Sequence, residues 1–411
     1  MRLDVPCPFC GLLCDDLSVA ASGDRLEVRA AGCHRAREGF ERAAGDPSPR
    51  IAGRPAALDE AVAHAASLLA AARQPLFAGL GTDLAGMRAV LRLADRIGGI
   101  VDHLGSPALF RNLPAQRDQG WIATTLSEVR NRADVILVVG EDPGAAFPRF
   151  YERCVAVGET LFAGGPLPRR LFRLGPLSVP PDLPSQVSVT DVECPLEVLP
   201  AAVATLRCLI AGRKVPADPS LATLAEALRS ASYGTVAWNA ATLDISGADL
   251  LIQSLAELVR DINRVSRCAV LPLGGSDNLL GANQACLWQS GYPLRTSFAG
   301  GTPGHDPHRH EAQRLIASGE VDALVWISAF RPLPPPQREG LPTIALTAAP
   351  VSSAAVAIPV GTPGLDHPGQ AFRSDGLVAI RLAGLRASRL PSVAEIVGQI
   401  ERALDEPGGR R

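Results

Sequence analysis

Apolar residues follow two rhythms along the chain. One is a short continuous run that ends in glycine or an acid: "PLFAGLGTD" (75–83), "ADVILVVGEDPG" (133–144), "GTVAWNAATLD" (234–244), "CAVLPLGGSDN" (268–278), "VDALVWISAF" (321–330) and "LPTIALTAAP" (341–350). The other is an alanine- and leucine-rich stretch with helical spacing: 56–73, 86–98, 248–265 and 392–406. Runs apolar on both faces, separated by helices, predict parallel strands covered on two sides, an α/β fold. Ligands in such sheets sit at the carboxyl ends of the strands. Here those ends read "GLGTD", "GEDPG", "NAATLD" and "LGGSDN". Residues 1–50 break the rhythm. Their only regular signal is the alternating "RLEVRA", so they read as a small, loop-rich cap with a little β-structure. Residues 163–186, rich in Pro and Gly, read as a long irregular loop. No repeat or low-complexity tract is present.

Length and composition narrow this picture. A chain of 411 residues predicts two or three domains. At 47% hydrophobic and 20% charged it has ample material for buried cores. A formal net charge of −2 provides no field to recruit nucleic acid or a membrane surface. The arginine-rich "RNRAD" and "PRRLFRLG" read as solvated faces. The first residues lack the apolar core of a signal peptide, and no run of about 18 apolar residues predicts a spanning helix. A cytoplasmic location is expected, where nine cysteines serve as thiols or metal ligands rather than disulfides.

Four of those cysteines form the sharpest chemical signal. "CPFCGLLC" places Cys7, Cys10 and Cys14 at spacings of two and three intervening residues, and Cys33 follows in "AAGCHRAREGF". Close-spaced thiolates on a loop, closed by a distant fourth, suit a [4Fe–4S] cluster. A zinc site, which prefers two Cys-x2-Cys pairs, and an unloaded set are the other readings. Cys154, Cys194, Cys208, Cys268 and Cys286 have apolar neighbours and read as small core residues. "GTPGHDPHRH" gathers His305, Asp306, His308 and His310, and reads as a polar loop before a metal site. His103 in "DHLG" reads as a hydrogen-bonded structural histidine, "RPLPPPQ" (331–337) as a stiff connection, and the aromatics of "CLWQSGYP" as packing or interface anchors. No Ser-His-Asp set, P-loop or dinucleotide fingerprint is found.

At "CPFCGLLCDDL" the chain resembles the B subunit of formylmethanofuran dehydrogenase, a molybdopterin-type tungsten or molybdenum oxidoreductase. The resemblance continues in order through "LSEVRNRADVILVVGEDPGAAFPRFYERC" (126–154), "LPLGGSDNLLGANQACLWQSGYPLRTSFAGGTPGHDP" (271–307) and "GQAFRSDGLVAIRL" (369–382). It implies a small cysteine-rich domain (1–50), a discontinuous α/β domain (51–103 and 275–411), and a second doubly wound α/β domain (104–274) inserted into it. In the family the two α/β domains clasp a pterin dinucleotide.

The departures from the family carry the functional expectation. Active members are expected to hold their metal through a Cys or selenocysteine followed by His. The corresponding stretch here, "DHLGSPALFRNLPAQRDQGW" (102–121), contains no cysteine, and none lies between Cys33 and Cys154. Tungsten or molybdenum needs such a soft ligand for that chemistry. Gly274 stands at the family's essential arginine. The dinucleotide-binding Asp-Pro-Arg turn is missing from "LFRLGPLSVPPDLPS" (171–185), and Asp142 replaces an asparagine. These losses point to a protein that has kept the fold and lost the redox site, without a tungsto- or molybdopterin. That resembles the B subunit of the bacterial formyltransferase/hydrolase complex. There, the resemblance implies, formyl groups pass from tetrahydromethanopterin to methylofuran and are hydrolysed to formate. It further implies that the D subunit transfers, the A subunit hydrolyses, and the B and C subunits hold the assembly in one-carbon oxidation. A cluster at Cys7, Cys10, Cys14 and Cys33 would then be structural. A working oxidoreductase, and a binding module using the emptied pterin cleft, are the rival expectations.

Overall fold

Two compact units make up the chain: residues 1–106 with 275–411, and the continuous segment 107–274. The computed structural model describes residues 1–405 apart from 163, 166, 177–180 and 350.

The 107–274 unit is built on five parallel strands, in the order Val187–Glu193, Arg169–Gly175, Val135–Val139, Gly234–Asn239, Cys268–Leu273. Val135–Val139 is the first strand in sequence and lies in the middle. The chain adds two strands on one side of it and then two on the other. Its winding therefore reverses between Val135–Val139 and Gly234–Asn239, the switch point at which open α/β sheets bind ligands. Helices Leu199–Ile210, Pro219–Arg229 and Ala248–Ile262 bring Val203, Leu224 and Leu255 into one core with Val135, Leu137 and Trp238. Trp238 is fully buried. Its Nε1 donates to Asn112 Oδ1 at 2.9 Å, and its ring meets Trp121 edge-on.

The other unit carries a nine-stranded sheet. Its five central strands, Ile100–Val101, Pro75–Gly81, Ala323–Ser328, Thr343–Thr347 and Val356–Pro359, are parallel, and short antiparallel strands close both edges. The winding reverses between Pro75–Gly81 and Ala323–Ser328. Helix Leu84–Ile97 starts where Asp83 accepts a hydrogen bond from the Gly86 N–H at 3.1 Å, and it stops at Gly98 in the left-handed region. Helix Val393–Ala403 opens with a Ser392/Glu395 capping box. At the N-terminus, strands Arg2–Val5, Leu17–Ser22 and Arg25–Ala30 form an antiparallel sheet that leads into helix His34–Phe40.

The predicted parallel α/β alternation is present, with two corrections. Within the stretch read as irregular, Arg169–Gly175 is a buried strand paired on both sides. Positions 163, 166 and 177–180 of that stretch lie outside the described residues. The "PRRLFRLG" arginines are also not solvated: Arg169 and Arg173 are about as buried as the apolar residues around them. Both corrections have the same cause. Arg169 donates through Nη1 and Nη2 to the carbonyls of Val129 (3.0 Å), Cys154 (2.5 Å) and Arg130, leaving its buried Nε unbonded among the described residues, and Arg173 is paired with two carboxylates, so partners inside the fold offset most of the cost of burial. Helix Ser106–Gln119 has no counterpart among the predicted elements and carries Pro114 in its interior.

Candidate functional site: the cysteine loop and the strand exits

The cysteine loop is closed by its own backbone. Cys7 N–H donates to Cys14 C=O at 2.8 Å, and Leu13 N–H donates to Cys10 C=O at 3.2 Å across a turn that puts Leu13 at φ 45°. Cys7, Cys10 and Cys14 are buried. Cys33 is half-buried at the start of helix His34–Phe40, where its carbonyl accepts from Arg37 N–H. Phe9, between the first two cysteines, packs edge-on against Phe40 with ring centroids 5.3 Å apart. Gly39 makes room for that contact, since a Cβ there would lie 2.3 Å from the Phe9 ring.

The four thiols influence one another. Burial pushes the Cys7 thiol well up, and the charges that would form at Cys10, Cys14 and Cys33 push in the same direction, against a backbone hydrogen bond at Phe9. Burial also raises Cys10, while backbone hydrogen bonds at Leu12 and Leu13 and the charge of Arg35 favour its thiolate. The loop thus has the donor type and backbone hydrogen bonding that suit an iron–sulfur cluster. Among the described residues, no group of three or more His, Cys, Asp or Glu side chains is arranged to hold a metal ion.

The other cysteines divide. Cys154, Cys268 and Cys286 are buried, and burial pushes the Cys268 thiol up to about 12 and Cys286 to about 11. Cys194 and Cys208 are only partly buried, so reading all five as core residues is corrected for these two.

At several strand exits, where such sheets bind ligands, the chain's own groups meet. In the 107–274 unit, Gly140 ends the central strand at φ 90°, and a Cβ there would stand 2.7 Å from the Leu243 side chain. Leu243 is wholly buried. Arg111 bridges the neighbouring exit through Ala240 C=O (2.8 Å), Ala241 C=O (3.2 Å) and Asp244 (2.7 Å). Asp142 accepts from the Tyr151 hydroxyl at 2.8 Å, from Gly144 N–H at 2.7 Å and from Arg173 at 3.2 Å. Arg173 also makes two bonds to Asp191. The acid that replaces the family's asparagine is therefore neutralised within an ion-pair network. Burial, followed by the adjacent Asp142 charge, drives the Tyr151 hydroxyl far above its ordinary range.

In the first unit, segment 275–279 covers the switch point. Asp277 and Asn278 are buried and adopt left-handed backbone at φ 54° and 58°. Asn278 donates to Thr82 C=O at 2.9 Å and accepts from Phe372 N–H at 2.9 Å. Asp277 takes a bidentate pair from Arg331. His103 is enclosed here as well. Its Nδ1 accepts from Gly105 N–H at 2.9 Å, which leaves Nε2 to donate to Asp277 C=O at 3.1 Å. Burial lowers its pKa to about 4, so the ring is neutral and both nitrogens are used. Gly274 has no atom within 4 Å of an added Cβ, so sterics do not exclude an arginine there. Leu243 thus occupies the space over Gly140, Asp277 holds Arg331 at the exit of Ala323–Ser328, and the space beside Gly274 is open.

The histidine loop is held by backbone contacts. His305 and His310 both bond Arg295 C=O at 3.1 Å through Nδ1, and Asp306 accepts from the N–H groups of His308 and Arg309. The Asp277–Arg331 pair was not singled out from the sequence. Its signal was nonetheless present, because both residues follow apolar runs at strand exits.

Comparison with known proteins agrees with this geometry. No protein-family model matches the sequence. The chain is 32% identical over 321 residues to the B subunit of the formyltransferase/hydrolase complex Fhc of Methylorubrum extorquens, covering 76% of this chain and 85% of that protein. It is 27% identical over 405 residues to the B subunit of the tungsten-containing formylmethanofuran dehydrogenase 2 of Methanocaldococcus jannaschii, covering 91% of each. Among solved structures it is similar to a chain of the formyltransferase/hydrolase complex FhcABCD of Methylorubrum extorquens, crystallised with methylofuran. That match has a TM-score of 0.76 and 29% identity, and covers 87% of this chain and 99% of the other.

Proposed function

The chain belongs to the family formed by the B subunits of Fhc and of formylmethanofuran dehydrogenase, and from that premise we propose that it is the non-catalytic B subunit of a formyltransferase/hydrolase complex. In this reading it assembles with the hydrolase (the A subunit), the formyltransferase (the D subunit) and the C subunit. The complex converts the formyl group carried by tetrahydromethanopterin and methylofuran to formate. The observation that carries the proposal is the likeness to the Fhc B subunit in both sequence and fold, and the chain's own groups at two strand exits support it. Leu243 stands over Gly140, and Arg331 is locked to Asp277. The missing soft ligand and Gly274 at the arginine position support the same reading.

Without a cysteine in 102–121 or an arginine at 274, a tungsto- or molybdopterin is not expected, so no electron transfer is assigned to the chain. A [4Fe–4S] cluster at Cys7, Cys10, Cys14 and Cys33 would staple the loop, with no redox partner in the same chain to serve. No helix among the described residues is long and apolar enough to cross a membrane, which supports the proposed cytoplasmic location.

The test is elemental and pterin analysis of the anaerobically purified complex, together with iron and acid-labile sulfide. The expected result is only trace tungsten, molybdenum and pterin, with formyl hydrolysis intact. Stoichiometric metal and pterin with viologen-linked formylmethanofuran oxidation would overturn the proposal.

A further inference from the structure

Beside the cysteine loop lies a pocket of about 400 Å³. One wall is helix His34–Phe40 and its continuation, presenting Arg35, Glu38 and Arg42. The opposite wall is the exit of strand Ala323–Ser328, presenting Arg331 and Leu333, and the Phe9 ring also lines the pocket. Its size suits a small organic molecule.

Its charge is unbalanced. Three guanidiniums line it, and Glu38 is the one carboxylate on its walls. Two of the cations are fixed from behind. Arg331 uses Nε and Nη2 on the buried Asp277, and its Nη1 makes no hydrogen bond among the described residues. Arg42 is held by Phe330 C=O at 3.2 Å and Thr362 Oγ1 at 2.9 Å. These anchors fix both guanidiniums before any ligand arrives and leave Arg331 Nη1 as a donor still to be used. Burial and the nearby Arg386 charge lower the Arg42 pKa, against the pull of Asp366 and Glu38. Arg42 thus holds its charge against burial and a like charge, while the Arg331 cation is stabilised by Asp277. Fixed guanidiniums in a partly desolvated pocket recognise carboxylate or phosphate oxygens through paired N–H donors. The Phe9 ring and Leu333 offer apolar contact for the body of such a molecule.

We infer that this pocket is a binding site for a small organic oxyanion, a carboxylate or phosphate group on a compact apolar body. The site lies within one unit of the chain and does not depend on the proposed place in a complex.

The experiment is calorimetric titration of the purified full chain at low ionic strength, with benzoate and phenyl phosphate as separate probes, since salt screens the attraction. Saturable 1:1 binding of at least one probe is expected, and the probe that binds identifies the carboxylate or the phosphate class. Arg35→Gln should weaken that binding at least about tenfold, the scale of one lost charge-assisted contact. Glu38→Gln removes the opposing charge from an exposed position that the fold does not need, and it should tighten binding. Arg54→Gln, exposed and outside the pocket, should leave it unchanged. The inference is overturned if neither probe binds saturably, or if Glu38→Gln fails to tighten binding while Arg54→Gln weakens it.

Discussion

His103 and its neighbour Asp102 show how burial sets charge one residue at a time. Asp102 accepts from Ala312 N–H at 2.8 Å and lies 3.5 Å from Arg295, yet burial dominates and raises its pKa to about 6. His103 is lowered to about 4 by the same desolvation. The two shifts act on opposite sides of pH. The raised Asp102 contributes stability that is complete below about 3.9, the ordinary carboxyl value, and is lost as pH rises through about 6. The depressed His103 contributes stability present above about 6.5 and lost as pH falls through about 4. In urea unfolding followed from pH 4 to 7, His103→Gln should flatten the acid-side decline by on the order of 3 kcal/mol relative to the parent. Asp102→Asn should remove the decline toward pH 6. Gly274 makes the contrasting case. With nothing within 4 Å of a new Cβ, Gly274→Arg should leave the melting temperature unchanged and should not create formylmethanofuran oxidation, because the metal ligand is also absent.

Among the elements, strand exits and helix starts carry the most consequence. Gly140→Ala meets two penalties, a left-handed φ of 90° and a clash with Leu243 at 2.7 Å, and should cost more than about 1 kcal/mol in chemical denaturation. Adding Leu243→Ala should relieve the clash but not the backbone strain, so the pair should be less destabilised than the sum of the two single changes. Asp83→Ala removes the cap of helix Leu84–Ile97 and should cost about 1 kcal/mol.

This is also the scale at which legibility in the sequence ends. Pro75–Gly81 and Val135–Val139 are buried on both faces, so their composition reveals them directly. Arg169–Gly175 is equally buried but carries three arginines whose partners lie at residues 129, 130, 154, 142, 191, 227 and 230, and no local pattern reports contacts that distant. The candidate site is split in the same way. Cysteine spacing is local and visible. The packing at the exits depends on Leu243 meeting Gly140 and Arg331 meeting Asp277 across long stretches of chain.

At the scale of the whole molecule, segment 107–274 has its own five-stranded sheet and core and is continuous in sequence. Expressed alone, it should show a single cooperative thermal transition by circular dichroism. A broad, non-cooperative melt would show that its core is incomplete. The other unit is closed by a buried ion pair. Arg386 donates to Asp366 at 2.8 Å and also to the carbonyls of Asp24 and Arg42, tying the last part of the chain to the cysteine cap. Asp366→Asn would leave that guanidinium buried without its counter-charge and should cost about 3–5 kcal/mol in equilibrium unfolding.

That clasp also orders events in time. Residues 24 and 42 leave the ribosome early, and the arginine that fastens them lies more than 340 positions later. Domains generally fold as units during synthesis, N-terminal first, but here the leading segment's contacts to Arg386 must wait for the trailing one. The interior segment can therefore complete its sheet while the cap is still open. Any cluster delivered to the four cysteines before the trailing segment arrives would meet a loop whose late partner, the Ser374 N–H on Gly11 C=O, has yet to be made.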